Sequence, residues 1–296
     1  MKKLILLSAL FIFACSYGQG EQLYADGTAT DQDGNSFEWI NYGTQDWAIE
    51  NAEVVNYRGG TPIPQVTDQT EWANLTTGAW CYFENDPNKG VLYNWYAVMG
   101  IHDAASLSDA TLRKEFAPEG WHVPTDAEWF ILVEFLISNG YNYDGTTTGN
   151  KIAKSMASTT GWFSFTQLGS PGDNQSANNS SGFNAYPKGY RWGDDQGFDG
   201  EGVSAVFWST IDYSSTDAYF FDIGSYREYV FTGGDFYYKE NGNSVRLVKD
   251  ATSLSTTNFS NSTTIYPNPV RNILTIDGVI VKDVVIYSIY GKEVLN

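Results

Sequence analysis

The clearest pattern of apolar and polar positions lies in Pro118–Leu136, where a turn leads into a segment with helical spacing. Thr125 and Glu128 are three residues apart, which is the spacing of a capping box at the start of a helix. Asn139-Gly140 is a stop signal. Four apolar residues between these signals fall on one helical face: Trp129, Leu132, Val133 and Leu136. The pattern predicts a capped amphipathic helix.

Shorter patterns predict the other elements. Phe37 and Trp39 alternate with polar neighbours, and Gly43 follows them, which predicts a β-hairpin over Asn35–Trp47. Helices are expected at Gly90–Met99, Leu107–Phe116 and Gly149–Ala157. Strands are expected at Val203–Thr210, Ala218–Ile223, Tyr226–Phe231 and Ser244–Val248. Two or three helices packed on a small, irregular antiparallel sheet make an α+β fold.

Composition divides the chain into five parts. Residues 1–18 have the basic, apolar and small-residue regions of a signal peptide, and the ten apolar residues of Leu4–Phe13 are too few to span a bilayer. Cys15 leaves a lipoprotein box open as an alternative. We interpret 19–30 as a polar lead, 31–250 as one globular unit, 251–262 as a Ser/Thr/Asn linker and 263–296 as a small β-rich tail. No transmembrane segment is expected.

Charge and cysteine content disfavour several classes of partner and site. The formal net charge is −18, which disfavours nucleic acid and anionic lipid as partners. Once a signal peptide that includes Cys15 is removed, Cys81 is the one remaining thiol, so neither an internal disulfide nor a cysteine-based zinc site is expected. This profile is typical of a secreted or outer-surface protein.

A series of short motifs between Asp31 and Asp250 resembles the Fibrobacter succinogenes major paralogous domain. In chain order the motifs are Asp31-x-Asp33-Gly34-Asn35, Gln45-x-Trp47-x-x-Glu50-Asn51, Trp80-Cys81-Tyr82, Asn85-Asp86, Gly90-x-Leu92-Tyr93-Asn94-Trp95-Tyr96-Ala97, Pro118-x-Gly120-Trp121-His122, Gly182-Phe183-Asn184-Ala185-x-Pro187, Gly189-Tyr190-Arg191, Phe207-Trp208-Ser209-Thr210 and Ser244-Val245-Arg246. The resemblance implies a C-type lectin-like fold. It carries little information about function.

Two positions depart from that family's pattern. Many members have cysteines where this chain has Ala117 and Leu247. The resemblance implies that those cysteines pair, and we expect an apolar contact to replace the bond here. Cys81 is expected to be a small buried hydrophobic residue.

The tail resembles a type A sorting domain of the type IX secretion system. The similarity lies in Ile265-Tyr266-Pro267-Asn268-Pro269, Leu274-x-Ile276, Val284–Tyr290 and Gly291-Lys292. It covers about half of such a domain, so we expect a truncated or degenerate copy and favour a truncated reading frame. The resemblance implies the type IX secretion machinery as a partner.

Catalytic patterns are weak. The formylglycine-generating enzymes of the related fold need two reactive cysteines, whereas one is expected here. His122 is expected to hold a loop carbonyl through a ring N–H, and His102 has no partner motif. No metalloprotease, serine-hydrolase or phosphate-loop motif occurs. We therefore expect a non-enzyme, with an uncharacterised hydrolase built on two carboxylates as a remaining alternative.

The best candidate for ligand binding is the segment Gly189–Gly202, which combines carboxylates, aromatic residues and glycines. Its candidate residues are Tyr190, Arg191, Trp192, Asp194, Asp195, Asp199 and Glu201, with Trp192 as the residue that stacks on a sugar. A solvated acidic loop is the competing interpretation, and Arg191 and Arg246 also fit structural roles. Calcium stays open, but Asp31-x-Asp33-x-Asn35 lacks the later residues of a calcium loop and fits a β-turn better.

The sequence thus predicts a non-catalytic binding module for carbohydrate or a surface polymer. The alternative is a module that contacts another surface protein.

Overall fold

The computed structural model describes residues 25–251 and four short strands between residues 264 and 295. The chain divides into two compact units, Met1–Ala251 and Thr252–Asn296. The signal peptide predicted at 1–18 lies outside the described residues, as do the first part of the polar lead and nearly all of the linker. The last four residues of that lead, Gly27–Thr30, form the first strand, β1.

A four-stranded antiparallel sheet joins the two ends of the first unit, in the order β1-β2-β3-β11. Its other strands are β2 (Ser36–Tyr42), β3 (Gln45–Ala48) and β11 (Val248–Asp250). Gly43, with φ +74°, lies in the turn between β2 and β3 and confirms the predicted hairpin. Trp47 pairs with Ile40 on one side and with Val248 on the other, so the sheet brings the end of the unit back to its beginning.

A five-stranded sheet has the order β10-β9-β8-β6-β7. Its strands are β6 (Lys188–Arg191), β7 (Phe198–Glu201), β8 (Ser204–Asp212), β9 (Asp217–Gly224) and β10 (Val230–Tyr238). The pairs are antiparallel except for a short parallel contact between β6 and β8. β4 (Trp80–Tyr82) and β5 (Val91–Tyr93) form a further antiparallel pair.

Among the described residues, the α-helices are short apart from α4 (Asp126–Ser138). They are α1 (Gln69–Trp72), α2 (Trp95–Val98), α3 (Ala104–Ser108), α4 (Asp126–Ser138) and α5 (Ala153–Met156). Mixed helices and antiparallel sheets confirm an α+β fold in which strands predominate.

The helix α4 is the predicted amphipathic helix. Thr125 and Glu128 form both bonds of the capping box. The four predicted apolar residues are buried, and Trp129 stacks on Phe221 with ring centroids 4.1 Å apart. Trp129 also contacts Trp47 at 4.6 Å, so α4 packs its apolar face against both sheets through one side chain.

Three predicted elements were wrong in part. Gly90–Met99 contains the strand β5 before the helix α2, because β5 pairs with β4 and Asn94 then caps α2. The helix expected at Leu107–Phe116 lies earlier, as α3, since Asp103 provides its capping box. Of Gly149–Ala157, only the four residues of α5 are helical.

The predicted strands also need correction. β8 and β9 confirm two of them. Tyr226–Phe231 begins as a turn and becomes strand only at Val230, and Ser244–Val248 consists of a single bridge at Ser244 followed by β11. In the first segment the Glu228 carbonyl accepts the backbone N–H of Ala153, and in the second Ser244 pairs with Phe207, so contacts with distant parts of the chain interrupt a regular ladder.

Several structural predictions for single residues hold. Cys81 is a free, buried cysteine. Ala117 and Leu247 lie buried in the same hydrophobic cluster. The Asp31 carboxylate accepts bonds from the backbone N–H groups of Asp33 and Asn35, as in the expected turn.

In the second unit, β12 (Thr264–Tyr266) pairs with β13 (Thr275–Asp277), and β14 (Ile286–Tyr287) pairs with β15 (Glu293–Leu295), all antiparallel. Across the described part of the chain, no helix has the length and apolar character needed to cross a membrane.

Candidate functional site

The segment predicted to bind a ligand, Gly189–Gly202, is a β-hairpin made by β6 and β7. The backbone N–H of Trp192 donates to the carbonyl of Gly197 at 2.7 Å and closes its turn. β7 is at the edge of the five-stranded sheet. The hairpin therefore presents its side chains from a defined backbone instead of from a wide loop.

The four carboxylates of this hairpin have separate surroundings. Asp194 accepts bonds from Gln196, Asp195 is exposed, and Glu201 forms an ion pair with Lys89 at 2.8 Å. Asp199 accepts the backbone N–H of Gly200 and is 3.5 Å from the Tyr190 hydroxyl. Within the described residues, no group of three or more His, Cys, Asp or Glu side chains could hold a metal ion.

Arg191 has a structural position. Its guanidinium is buried between the rings of Trp72 and Phe198, at 4.3 and 5.0 Å from their centroids. It donates to the carbonyls of Val66 and Thr67 and to the side chain of Gln69. A ligand outside the protein does not reach Arg191, in agreement with the structural role that we also considered.

Tyr190 and Trp192 are half-buried and belong to a larger aromatic group. Their ring centroids are 5.0 Å apart, and Tyr237 of β10 lies 5.8 Å from Tyr190 and 5.9 Å from Trp192. Tyr237 in turn stacks on Phe220 of β9 at 4.0 Å. The three outer rings therefore rest on an ordered apolar base.

Further exposed rings are linked to this group through Arg227 or lie beside Gly202 of the hairpin. Phe165 contacts Tyr226 at 6.1 Å, and Phe163 is 63% exposed. The guanidinium of Arg227 lies over both Tyr226 and Phe231, and Phe231 stacks near Phe220. We call the set of six outer rings the aromatic face: Phe163, Phe165, Tyr190, Trp192, Tyr226 and Tyr237.

Two glycines allow these rings to lie close to β7. A Cβ atom at Gly200 would be 2.7 Å from the Tyr190 ring, and one at Gly202 would be 2.7 Å from the Phe163 ring. Both glycines also have φ values, +77° and +75°, that side chains rarely adopt. The glycines of the hairpin thus create space for the aromatic face.

Charged groups border the aromatic face. Arg227 forms an ion pair with Asp222, but burial of Asp222 outweighs that pairing and raises the pKa of its carboxyl. Burial also raises the pKa of Tyr190 to about 12, with the nearby carboxylates of Asp199 and Asp222 adding to the effect. Tyr190 is therefore a neutral hydroxyl at physiological pH, able to donate a hydrogen bond.

A separate cavity of about 370 Å³ opens between the first sheet and the segment that leads into β6. The polar and aromatic side chains of its lining include Glu50, Asn51, Glu53, Asn184, Tyr186 and Lys188. Burial raises the pKa of Glu50. Arg246 forms part of the lining but is itself buried and donates to Asn51 and to three backbone carbonyls, as expected for a structural arginine.

Sequence patterns alone do not reveal most of these groups. Tyr226 and Tyr237 are far along the chain from Trp192, and no local pattern links them. Glu50, Asn51 and Asn184 did occur in the motifs that carried the family resemblance. Polar motif residues without a capping or turn role were the one available signal for the cavity.

Comparison with known proteins gives one match. The model of the Fibrobacter succinogenes major domain family matches residues 40–249, which include both the aromatic face and most of the cavity. No curated protein and no solved structure matches the chain.

Proposed function

The chain belongs to the Fibrobacter succinogenes major domain family, and we propose that it is a non-catalytic binding module for carbohydrate or a surface polymer. The observation that carries the proposal is the aromatic face, in which Tyr190, Trp192 and Tyr237 are in mutual contact and Phe165 contacts Tyr226, beside Arg227. Flat rings stack on the C–H faces of sugars, and an extended set of rings suits a polymer. The Asp199 carboxylate and the Tyr190 hydroxyl beside these rings offer hydrogen bonds to sugar hydroxyls.

The proposal includes a C-type lectin-like architecture and an extracellular location. The motifs of the family resemblance support that architecture, and the α+β arrangement is compatible with it. The predicted signal peptide and the tail that resembles a type IX sorting domain support secretion or display on the outer surface. The type IX machinery is then the expected partner during export.

A glycan array, probed with and without calcium, tests the ligand class. For a glycan that binds, Trp192→Ala should weaken binding about tenfold, because an aromatic contact of this kind contributes roughly 1 kcal/mol or more. Tyr213→Ala is the matched control, since Tyr213 is 53% exposed but contacts Phe236 and Tyr219 outside the aromatic face.

The possible results separate the alternatives. Equal losses in both variants would contradict a role for the aromatic face. No glycan signal with or without calcium would favour a protein partner, and turnover of a polysaccharide would show that the chain is an enzyme.

A further inference from the structure

The cavity beside Glu50 concentrates charged side chains that the fold leaves available. Among the described residues, Glu50, Glu53 and Lys188 form no ion pair with another side chain. One carboxylate oxygen of Glu50 accepts the backbone N–H of Glu38 at 2.9 Å. No side chain within residues 25–251 donates a hydrogen bond to the Glu50 carboxylate, so Glu50 combines a fixed position with acceptor capacity for a ligand.

Lys188 is positioned from the opposite wall. Its aliphatic stem lies along Gly90, where an added Cβ would be 3.6 Å from Lys188 Cδ. Its ammonium is 5.8 Å from the centroid of the Tyr186 ring, and Tyr186 is 41% exposed. The wall therefore offers a hydrogen-bond donor next to an accessible aromatic surface.

Arg246 fixes the side-chain amide of Asn51 and the backbone of Asn184. Its Nε donates to Asn51 Oδ1 at 2.9 Å, and its Nη2 donates to the backbone carbonyl of Asn184 at 3.1 Å. The Asn51 Nδ2 group makes no hydrogen bond to the described part of the protein and remains a free donor. A buried guanidinium thus orders both sides of the cavity without occupying it.

The groups that face the cavity are complementary to a polyol. Each hydroxyl of a sugar can donate one hydrogen bond and accept two, so it fits between a carboxylate and an amide or ammonium. The volume of about 370 Å³ lies within the range of small-molecule sites. A ligand with only positive charge would be repelled by Lys188, and a ligand with only negative charge would be repelled by Glu50 and Glu53.

We propose that this cavity binds a single sugar residue through its hydroxyl groups, as a second site distinct from the aromatic face. The inference rests on the proposed function for the class of ligand, whereas the site itself rests on the cavity and its free polar groups. Lys188 is on the same strand as Tyr190, two residues away, so the two sites are close enough to engage one glycan.

The test is a titration of the full chain with glucose, galactose, mannose and N-acetylglucosamine, followed by amide NMR spectra. At least one sugar should shift the side-chain amides of Asn51 and Asn184. Glu50→Gln should raise the Kd for that sugar about tenfold, since a hydrogen bond to a charged group is lost. Lys188→Met should weaken binding in the same direction.

Glu119→Gln is the control, because Glu119 is an exposed carboxylate outside the cavity lining. Circular dichroism of each variant is the check that it is folded. Equal Kd values for Glu50→Gln and Glu119→Gln would overturn the proposal, as would amide shifts with methylamine but with none of the sugars.

The same variants separate this inference from the proposed function. If Trp192→Ala abolishes glycan binding while no monosaccharide shifts the Asn51 amide, the module binds sugar and the cavity proposal fails. If the cavity binds a sugar but Trp192→Ala leaves polymer binding unchanged, the aromatic face is not the polymer site.

Discussion

His122 shows how one side chain can join two parts of the fold. Its backbone N–H and carbonyl pair with Val248, and its ring Nε2 pairs with the Glu128 carboxylate. The other oxygen of Glu128 accepts bonds from Thr125. We expected the ring to hold a backbone carbonyl; that partner was wrong, because the capping carboxylate of α4 faces the turn.

The pair predicts a pH-dependent contribution to stability. The Glu128 hydrogen bond raises the pKa of His122 above its usual 6.5. Stability from the imidazolium is therefore complete below the unfolded value and declines as pH rises through the folded value. Burial alone would raise the pKa of Glu128, but its bonds to His122 and Thr125 outweigh burial and lower it, so the Glu128 contribution declines only as pH falls through that lowered value.

Urea unfolding of His122→Gln measures this effect. The loss of unfolding free energy relative to the native chain should be greatest near pH 5.5 and smaller near pH 9, with a magnitude of roughly 0.5 kcal/mol because the His122 side chain is 44% exposed. In a Glu128→Gln background the pH dependence should disappear. A loss that is constant with pH in the native background would rule out the ion pair as its source.

At the scale of elements, α4 has a complete set of local signals at both ends. Thr125 caps its first turn, and at its other end the N–H of Gly140 donates to the Ile137 carbonyl while that of Tyr141 donates to Leu136. These two C-terminal bonds form a Schellman motif, in which Gly140 has the left-handed conformation. These bonds satisfy backbone groups that the helix leaves free.

Removing the cap should weaken the unit without changing its fold. Thr125→Ala should lower the free energy of unfolding by about 1 kcal/mol, as capping residues typically contribute. Thr125→Ser is the matched control because it keeps the hydroxyl. Urea unfolding at neutral pH provides the measurement, and an equal loss in both variants would mean that the methyl group, and not the capping bond, is responsible.

Elements with strong local signals could be predicted from the sequence, and elements that depend on distant contacts could not. The helix α4 and the strands β8 and β9 follow from periodicity within one segment. Tyr226–Phe231 could not be assigned correctly, since Arg227 turns back to pair with Asp222 of β9. Likewise Trp192 was recognisable as a candidate, but Tyr237 joins it only because the sheet order places β10 and β6 around a common apolar base.

At the scale of the whole molecule, residues near the end of the first unit contact residues near its beginning. Among its described residues, three clusters of buried hydrophobic side chains lie between residues 37 and 248. β11 pairs with β3, and Arg246 bonds to Ala48 and Phe183 from the far end of the unit. Contacts among residues 27–250 therefore close this unit between its first and last described strands.

Deleting residues 252–296 should accordingly leave the first unit folded while blocking its export. Calorimetry should show its main transition at an unchanged temperature; a fall of more than about 4 °C would correspond to roughly 1 kcal/mol in a domain of this size and would contradict independent folding. In a bacterium that has the type IX system, the deleted chain should stay inside the cell envelope while the full chain reaches the surface or medium. Because the calorimetry excludes misfolding as the cause of retention, normal export of the deleted chain would refute the sorting role of the tail.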